Sequence, residues 1–423
     1  MPRHLLAYGV FALLTASMPA VSAAAGPEAP VCEGSMGYAP VFDGRRTFLW
    51  RPDWLETVKA RIATDATLQP ARAAMMARAD AALTRGPYTV VDKTQLPASG
   101  DRHDYMSMGP YWWPDPARPD GLPYVRRDGQ FNPERGTNAF DLSDLEDMSQ
   151  DVQALSLAYY FTGDERYAAR AAVFVRAWFL APGTRMDPNF NHGQAVPGRV
   201  SGRAEGVIDA TRLVRVVESL GLLDTSSALT EEERAALRDW FAALVEWMAT
   251  SPIGREEKAA TNNHGVYYDM LISEFALYAG LEEVARTVAE RFKQARIVPQ
   301  FAPDGSLPQE LTRTRSLHYS TWTLTAAFDL AQIGQCVGVD LWNWQSPDGR
   351  SLRAATEFMA GWAGREADWP YPELDKTETT GLYEVFQRGA WAWNDADLAA
   401  DAALYRERNA GLDLNLRLPP YAP

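Results

Sequence analysis

From about residue 140 onward the chain repeats one pattern: apolar residues at helical spacing, broken by short turns, with scarcely a stretch that alternates like a strand. Leu145, Met148, Val152, Leu155 and Tyr159 follow a Ser143 and Glu146 pair that predicts a capping box, and Gly163 ends the run. Asp164 restarts a helix through Tyr167, Ala171, Phe174 and Trp178. Thr230 with Glu233 caps another, whose buried face is Leu237, Trp240, Phe241, Leu244 and Met248. Similar periodicity covers 204 to 222, 266 to 279, 281 to 296, 316 to 334 and 350 to 363, with two shorter helices within 53 to 83. Helical hairpins in this number, without a sequence repeat, predict an all-α fold: an incomplete (α/α) toroid or barrel whose loops at one end make a cleft. A superhelical repeat array is the alternative, and such arrays normally show a fixed period.

Three segments resist helix. Residues 86 to 140 contain Tyr111-Trp112-Trp113-Pro114-Asp115-Pro116, Pro119-Asp120-Gly121, Pro123 and Asn132-Pro133, too many prolines for a helix interior. Residues 183 to 203 and 299 to 312 form two further loops. Long ordered loops in a compact domain usually carry function, and the rings of Tyr105, Tyr111, Trp112, Trp113 and Tyr124 suit stacking on sugar faces. Residues 337 to 423 stay open: Trp369 to Glu373 and Gly381 to Trp393 can either close the toroid or add aromatic subsites.

Arg3 and His4, the apolar run Leu5 to Leu14 and the small residues Val21-Ser22-Ala23 make a secretory signal pattern over residues 1–23. A single toroid domain over 24–423 is then expected, in a secreted or periplasmic protein. The apolar run is shorter than the roughly 20 residues that span a bilayer, so no membrane span is expected. Cys32 and Cys336 lie near the two ends of the mature chain; in an oxidising compartment they can form a disulfide, or remain two unpaired thiols. The formal charge of −14 argues against nucleic acid or an anionic membrane as partner. A cleft answers to its own lining, however, and Arg126, Arg127, Arg135, Arg199, Arg203, Arg313 and Arg315 predict a basic groove in an acidic body.

Two groups of side chains bear on chemistry. Thr261-Asn262-Asn263-His264-Gly265 directly precedes a helical run, which puts Asn263 and His264 at a helix N-terminus. Free N–H groups and the dipole there favour a bound carboxylate and disfavour imidazolium, so His264 is expected to be neutral and able to act as a base. The plainer reading is an Asn N-cap followed by a surface His. Some fifty residues on, Arg313, Arg315, His318 and Tyr319 cluster at another helix start. If helical geometry reaches back to Arg315, it shares a face with Tyr319, and a guanidinium there lowers the phenol pKa from its usual value near 10. The alternative is an exposed Arg pair beside a core Tyr. Amide, imidazole, guanidinium and phenol together are what β-elimination of a uronic-acid polymer requires. The His residues lack the paired spacing of a zinc site, so neither metal nor cofactor is expected. Asp144, Glu146, Asp147 and Glu310 can be combined into a hydrolase pair, but nothing separates them from ordinary capping residues.

Met108-Gly109-Pro110-Tyr111-Trp112-Trp113-Pro114-Asp115-Pro116, Asn189 to Gly198, Asn262-Asn263-His264-Gly265 and Asp304 to Glu310 together resemble the alginate lyase domain superfamily, closest to the branch containing polysaccharide lyase family 38. The resemblance spans roughly residues 85 to 330. It implies an (α/α) toroid that cleaves an anionic polysaccharide such as alginate, especially its mannuronate, or glucuronan. The family pattern places the reaction on Asn263, His264, Arg313 and Tyr319. Arg313 is taken ahead of Arg315 on the family's spacing to the Tyr, although helix geometry favours Arg315. Substrate contacts are expected from Arg315, His318, Gln194, His192, Arg199, Trp112, Trp113 and Tyr111. His192 stands where relatives commonly carry Tyr, a departure that bears on subsite contacts. The rival readings are a glycoside hydrolase on the same toroid and a non-catalytic carbohydrate-binding protein.

Overall fold

The computed structural model describes residues 30–374 and 379–421, so the signal pattern at 1–23 lies outside the described residues. Five helices form an inner ring in chain order: Leu142–Thr162, Thr211–Leu223, Asn263–Tyr278, Ser316–Cys336 and Thr380–Trp393, each packed against the next. Outer helices back them. Gln69–Ala82 and Glu165–Val175 lie on the first, Glu231–Thr250 and Glu282–Phe292 on the third, and Leu352–Ala360 and Ala396–Ala403 on the fifth. The division follows from sequence. Every residue of Asn263–Tyr278 except His264 is buried, so that helix must be covered all round. Glu282–Phe292 buries only Ala285, Val288, Ala289 and Phe292, one stripe of an amphipathic helix. This is the expected all-α toroid.

The helix starts agree with the sequence in most places. Thr230 and Glu233 make a reciprocal capping box, and Asn262 accepts from the His264 N–H at 3.2 Å. The capping box expected from Ser143 and Glu146 does not form. The first inner helix begins after Asp141, the Ser143 hydroxyl donates to the Gly136 carbonyl at 3.0 Å, and Glu146 turns inward to Arg212 and Arg215 at 2.7 and 2.8 Å. Two guanidinium partners outbid one backbone N–H for a carboxylate. The helix expected from 204 starts as the 3-10 segment Ala204–Ala210. There Gly206 crosses Gly193 so closely that a Cβ on Gly206 would lie 2.4 Å from the Gly193 carbonyl.

Thr380–Trp393 settles the role of that part of the C-terminal region: it supplies the fifth inner helix, packed against Ser316–Cys336. Just before it, Trp369 is buried, its indole N–H donating to the Ser316 hydroxyl at 2.7 Å, and Glu373 accepts from the Leu317 N–H at 2.7 Å. Trp369 and Glu373 therefore secure the start of the helix that carries His318 and Tyr319. Cys32 and Cys336 are joined by a disulfide with a Cα separation of 4.5 Å, tying the N-terminal arm to the far end of that same helix.

The long loop of 86 to 140 folds over one end of the ring. Met106–Met108 pairs in parallel with His192–Ala195, and Trp112–Trp113 pairs antiparallel with Val125–Arg126. A buried ion pair, Lys93 to Asp141 at 3.1 Å, anchors it, with Asp141 also accepting from the Met106 N–H at 2.7 Å. None of the described helices is long and apolar enough to cross a membrane.

Candidate active site

Where that loop meets the N-terminal ends of the inner helices, it leaves a cleft of about 350 Å³. His264, Arg313, His318 and Tyr319 line it from the ring side, and Tyr111, Trp112, Gln194 and Arg203 from the loop side. The two sequence groups thus meet in one place. Arg126, Arg135 and Arg212 join Arg203 and Arg313 in the lining, against Glu205 and Asp209, which gives the basic groove expected within an acidic chain.

His264 enters this cleft half-buried, on the first turn of its helix. Its Nδ1 lies 2.7 Å from an oxygen of Glu257, a buried carboxylate on the short helix Pro252–Ala259 that precedes it. An ionised carboxylate only accepts, so Nδ1 carries the proton and Nε2 is the nitrogen presented to the cleft. Burial alone would lower the His264 pKa, but Glu257 outweighs it and the net direction is upward. The expectation of an imidazole held neutral by the helix N-terminus is therefore corrected: the partner acid counters both dipole and desolvation.

Tyr319 is buried, with its hydroxyl hydrogen-bonded to that of Tyr111. Arg313 covers its ring, the guanidinium carbon 3.9 Å from the centroid. The guanidinium is itself held by Asp128, at 3.1 Å through Nη2 and 3.3 Å through Nε, and Thr314 donates to the same carboxylate at 2.9 Å. Burial would raise the Asp128 pKa, yet these partners hold it at about 2. For Tyr319 the balance runs the other way. Burial and the neighbouring Tyr111 raise its pKa against the pull of Arg313, so the phenol rests protonated.

Arg315 does not share the face expected of it. Helical geometry starts only at Ser316, and Arg315 turns away to the Gly129 carbonyl at 3.2 Å and the Phe131 ring. Asn263 is fully buried: its backbone and side-chain N–H groups donate to Glu310 at 2.7 and 2.8 Å, and Asn262 is the member of the pair that lines the cleft. Gln194 lines the cleft with a positive φ of 47°, its Oε1 accepting from Arg203 at 2.7 Å and its N–H donating to Ser107 at 2.7 Å. A strained backbone held from both sides is common where a side chain must be aimed.

His318 stacks on Trp322, the ring planes 18° apart. Trp112 sits between Arg199 and Arg203, whose guanidiniums lie 5.3 and 6.0 Å from its ring. Arg199 and Trp113 are outside the cleft lining, bonded to the Tyr124 and Gln130 carbonyls. His192 is buried beside Asp104 at 3.6 Å and the Ser201 carbonyl at 3.3 Å, away from the cleft. Sequence reasoning did not single out Glu257 or Asp128, and it treated Glu310 only as a possible hydrolase acid. Each acts through a partner brought close by folding, and an isolated acid in a polar stretch gives no signal of that.

Comparison with known proteins places the fold and the family. The family model described as alginate lyase matches residues 89–369. An alginate lyase from Bacteroides ovatus is 38% identical and superposes with a TM-score of 0.85 over 89% of this chain and 100% of that one. An alginate lyase from Sphingomonas species A1, 17% identical, shares the fold at a TM-score of 0.55 over 87% of this chain and 95% of its own. A variant of that enzyme complexed with a tetrasaccharide matches equally, at 17% identity and a TM-score of 0.55. No curated protein sequence matches the chain. On its family match and its likeness to the Bacteroides ovatus structure, this chain belongs to the alginate lyase family and is a polysaccharide lyase.

Proposed function

We propose that the protein cleaves a uronate polymer, alginate in the first place and especially its mannuronate, by β-elimination. One observation carries this reading: His264, Arg313 and Tyr319 line a single cationic cleft, each held by a neighbouring side chain, Glu257, Asp128 and Tyr111 respectively. The uronate carboxylate on the sugar beyond the scissile bond is assigned to Arg313 and to the helix N-terminus begun by Asn263, whose side chain shapes that turn through Glu310. Neutralising the carboxylate acidifies the C5 proton, because the negative charge of the developing enolate is already met. Where the C5 proton and the leaving oxygen lie on opposite faces, His264 takes that proton through Nε2; otherwise it helps to neutralise the carboxylate.

Tyr319 rests protonated and gives its proton to the departing O4 as the C4–O bond breaks and the C4=C5 bond forms. One proton leaves C5, one reaches the leaving oxygen, and no water is consumed. Where the C5 proton and the leaving oxygen share a face, Tyr319 can serve both only as its phenolate, which takes the C5 proton and passes that same proton to the leaving oxygen. Gln194, His318, Trp112 and Tyr111 position the chain; Arg315, Arg199, Trp113 and His192 support the loops that carry these groups. The disulfide supports an oxidising compartment, in line with the secretion signal read at 1–23 and a single domain over 24–423, and hence a secreted or periplasmic enzyme.

Incubating the purified protein with polymannuronate, polyguluronate, glucuronan and hyaluronan, and following ultraviolet absorbance of the unsaturated ends, tests the substrate. Turnover of polymannuronate above the others is expected. Inactivity on alginate with turnover of glucuronan would reassign it.

A further inference from the structure

Beneath the cleft the toroid is not filled. A cavity of about 440 Å³ runs between the inner helices, and Arg212 and Trp322 line both it and the cleft above. From Trp322 the lining continues down the same helix to Gln332, ten residues or about 15 Å further at the rise of an α-helix. Its size lies within the roughly 300–1,000 Å³ of small-molecule sites.

The walls are not those of a packed core. Arg212 and Arg215 meet Glu146, and Arg388 meets Asp329 at 2.6 Å. Arg215 and Glu146 keep side-chain exposures of 39% and 29% at the heart of a helical ring, so water reaches them. A barrel centre that served packing alone would be closed by apolar side chains, since taking each ion out of water costs several kcal/mol. Arg212, Arg215, Arg388 and Arg417 face Glu146, Asp329 and Glu384 in this lining, four positive groups against three negative, in a chain whose net charge is −14. Near the mouth the rings of Tyr267 and Trp322 lie 4.3 Å apart, and Trp50 and Trp54 add aromatic surface deeper in.

The geometry points to this cavity as a terminal subsite that receives one end of the uronate chain from the catalytic cleft. Carboxylates of the end sugars exchange with Glu146 on Arg212 and Arg215, and the aromatic rings offer faces to the sugar rings. Cleavage then removes short unsaturated oligosaccharides from a chain end, where an open groove would cut at random. The inference rests on the lyase reading above.

Val214 and Thr325 line the cavity but not the cleft, and both are partly exposed within it, so Val214→Phe and Thr325→Trp narrow it away from His264, Arg313 and Tyr319. The experiment follows alginate digestion by ultraviolet absorbance, viscosity and mass spectrometry of the products. The wild type is expected to release short products from the first turnovers, with viscosity falling slowly relative to absorbance. Each variant is expected to keep the wild-type Tm and to lose about tenfold or more in kcat/KM. Early collapse of viscosity with a ladder of long products overturns the proposal, whether or not the variants fold. Folded variants with the wild-type rate and product sizes overturn it too. Absence of any ultraviolet-absorbing product from every uronate polymer is a separate result, which removes the lyase reading itself and the terminal subsite with it.

Discussion

Glu257 and His264 stand 2.7 Å apart, and the contact decides which ring nitrogen works: Nδ1 is spent on the carboxylate, and Nε2 faces the substrate. Glu257 also raises the His264 pKa against the effect of burial. In Glu257→Gln that support goes, so the His264 pKa falls. The acid limb of the kcat profile, which reports the base losing its proton, then moves to lower pH, and the plateau drops because a weaker and less well oriented base remains. An acid limb that stays in place in the variant would show that the base lies elsewhere. His264→Ala is expected to lower kcat by about 10² to 10⁴-fold, the range for a positioned acid or base.

Arg313 is fixed by Asp128 on one side and the Tyr319 ring on the other. Hydrogen bonds to charged groups contribute about 1.5–3 kcal/mol, so Asp128→Ala should lower kcat/KM by roughly 10 to 100-fold without unfolding the protein. Arg313→Lys is expected to do no better, since an ammonium cannot serve the carboxylate and cover the ring with one plane. With Asp128 held at about 2, this clamp stays ionised throughout mildly acidic conditions. Because the His264 pKa is raised above its usual 6.5, the activity lost as the pH falls from above that value belongs to His264, and Asp128→Asn should leave the midpoint of that loss unmoved while lowering its height. Steady-state kinetics across pH separate the two effects.

The disulfide closes the chain across 304 residues. Its loss typically costs about 2–5 kcal/mol, so Cys32→Ser with Cys336→Ser, or reduction of the native protein, should lower Tm by several degrees. Because Cys336 ends the helix that begins beside Tyr319, thermal inactivation should advance together with unfolding. Calorimetry with and without reductant reads this directly; an unchanged Tm would mean that the arm adds nothing to the ring.

Much of this architecture is legible in the sequence because helical periodicity is a local property. The runs at 145 to 159, 237 to 248 and 266 to 279 each declare their own buried face, and Thr230 and Asn262 mark their own helix starts. Motifs that sit at helix starts, such as Asn263-His264 and Arg313 to Tyr319, could be placed for the same reason. What stays hidden is set by partners distant in the chain. Glu146 looks like a capping residue until Arg212 and Arg215 fold against it. Arg315 has the better spacing to Tyr319, yet a helix that starts one residue later gives the ring to Arg313. His192 stands in a motif that reads as substrate contact, and the parallel pairing of its strand with Met106–Met108 buries it beside Asp104.

The central claim is that Tyr319 protonates a leaving oxygen in an elimination, with no water added. Measuring ultraviolet absorbance and new reducing ends together, on alginate with wild type and Tyr319→Phe, tests it most directly. The account predicts that the two signals rise in a fixed ratio in the wild type and that both fall by about 10² to 10⁴-fold in the variant. Reducing ends that appear without absorbance, or a Tyr319→Phe enzyme that keeps its rate, would contradict it.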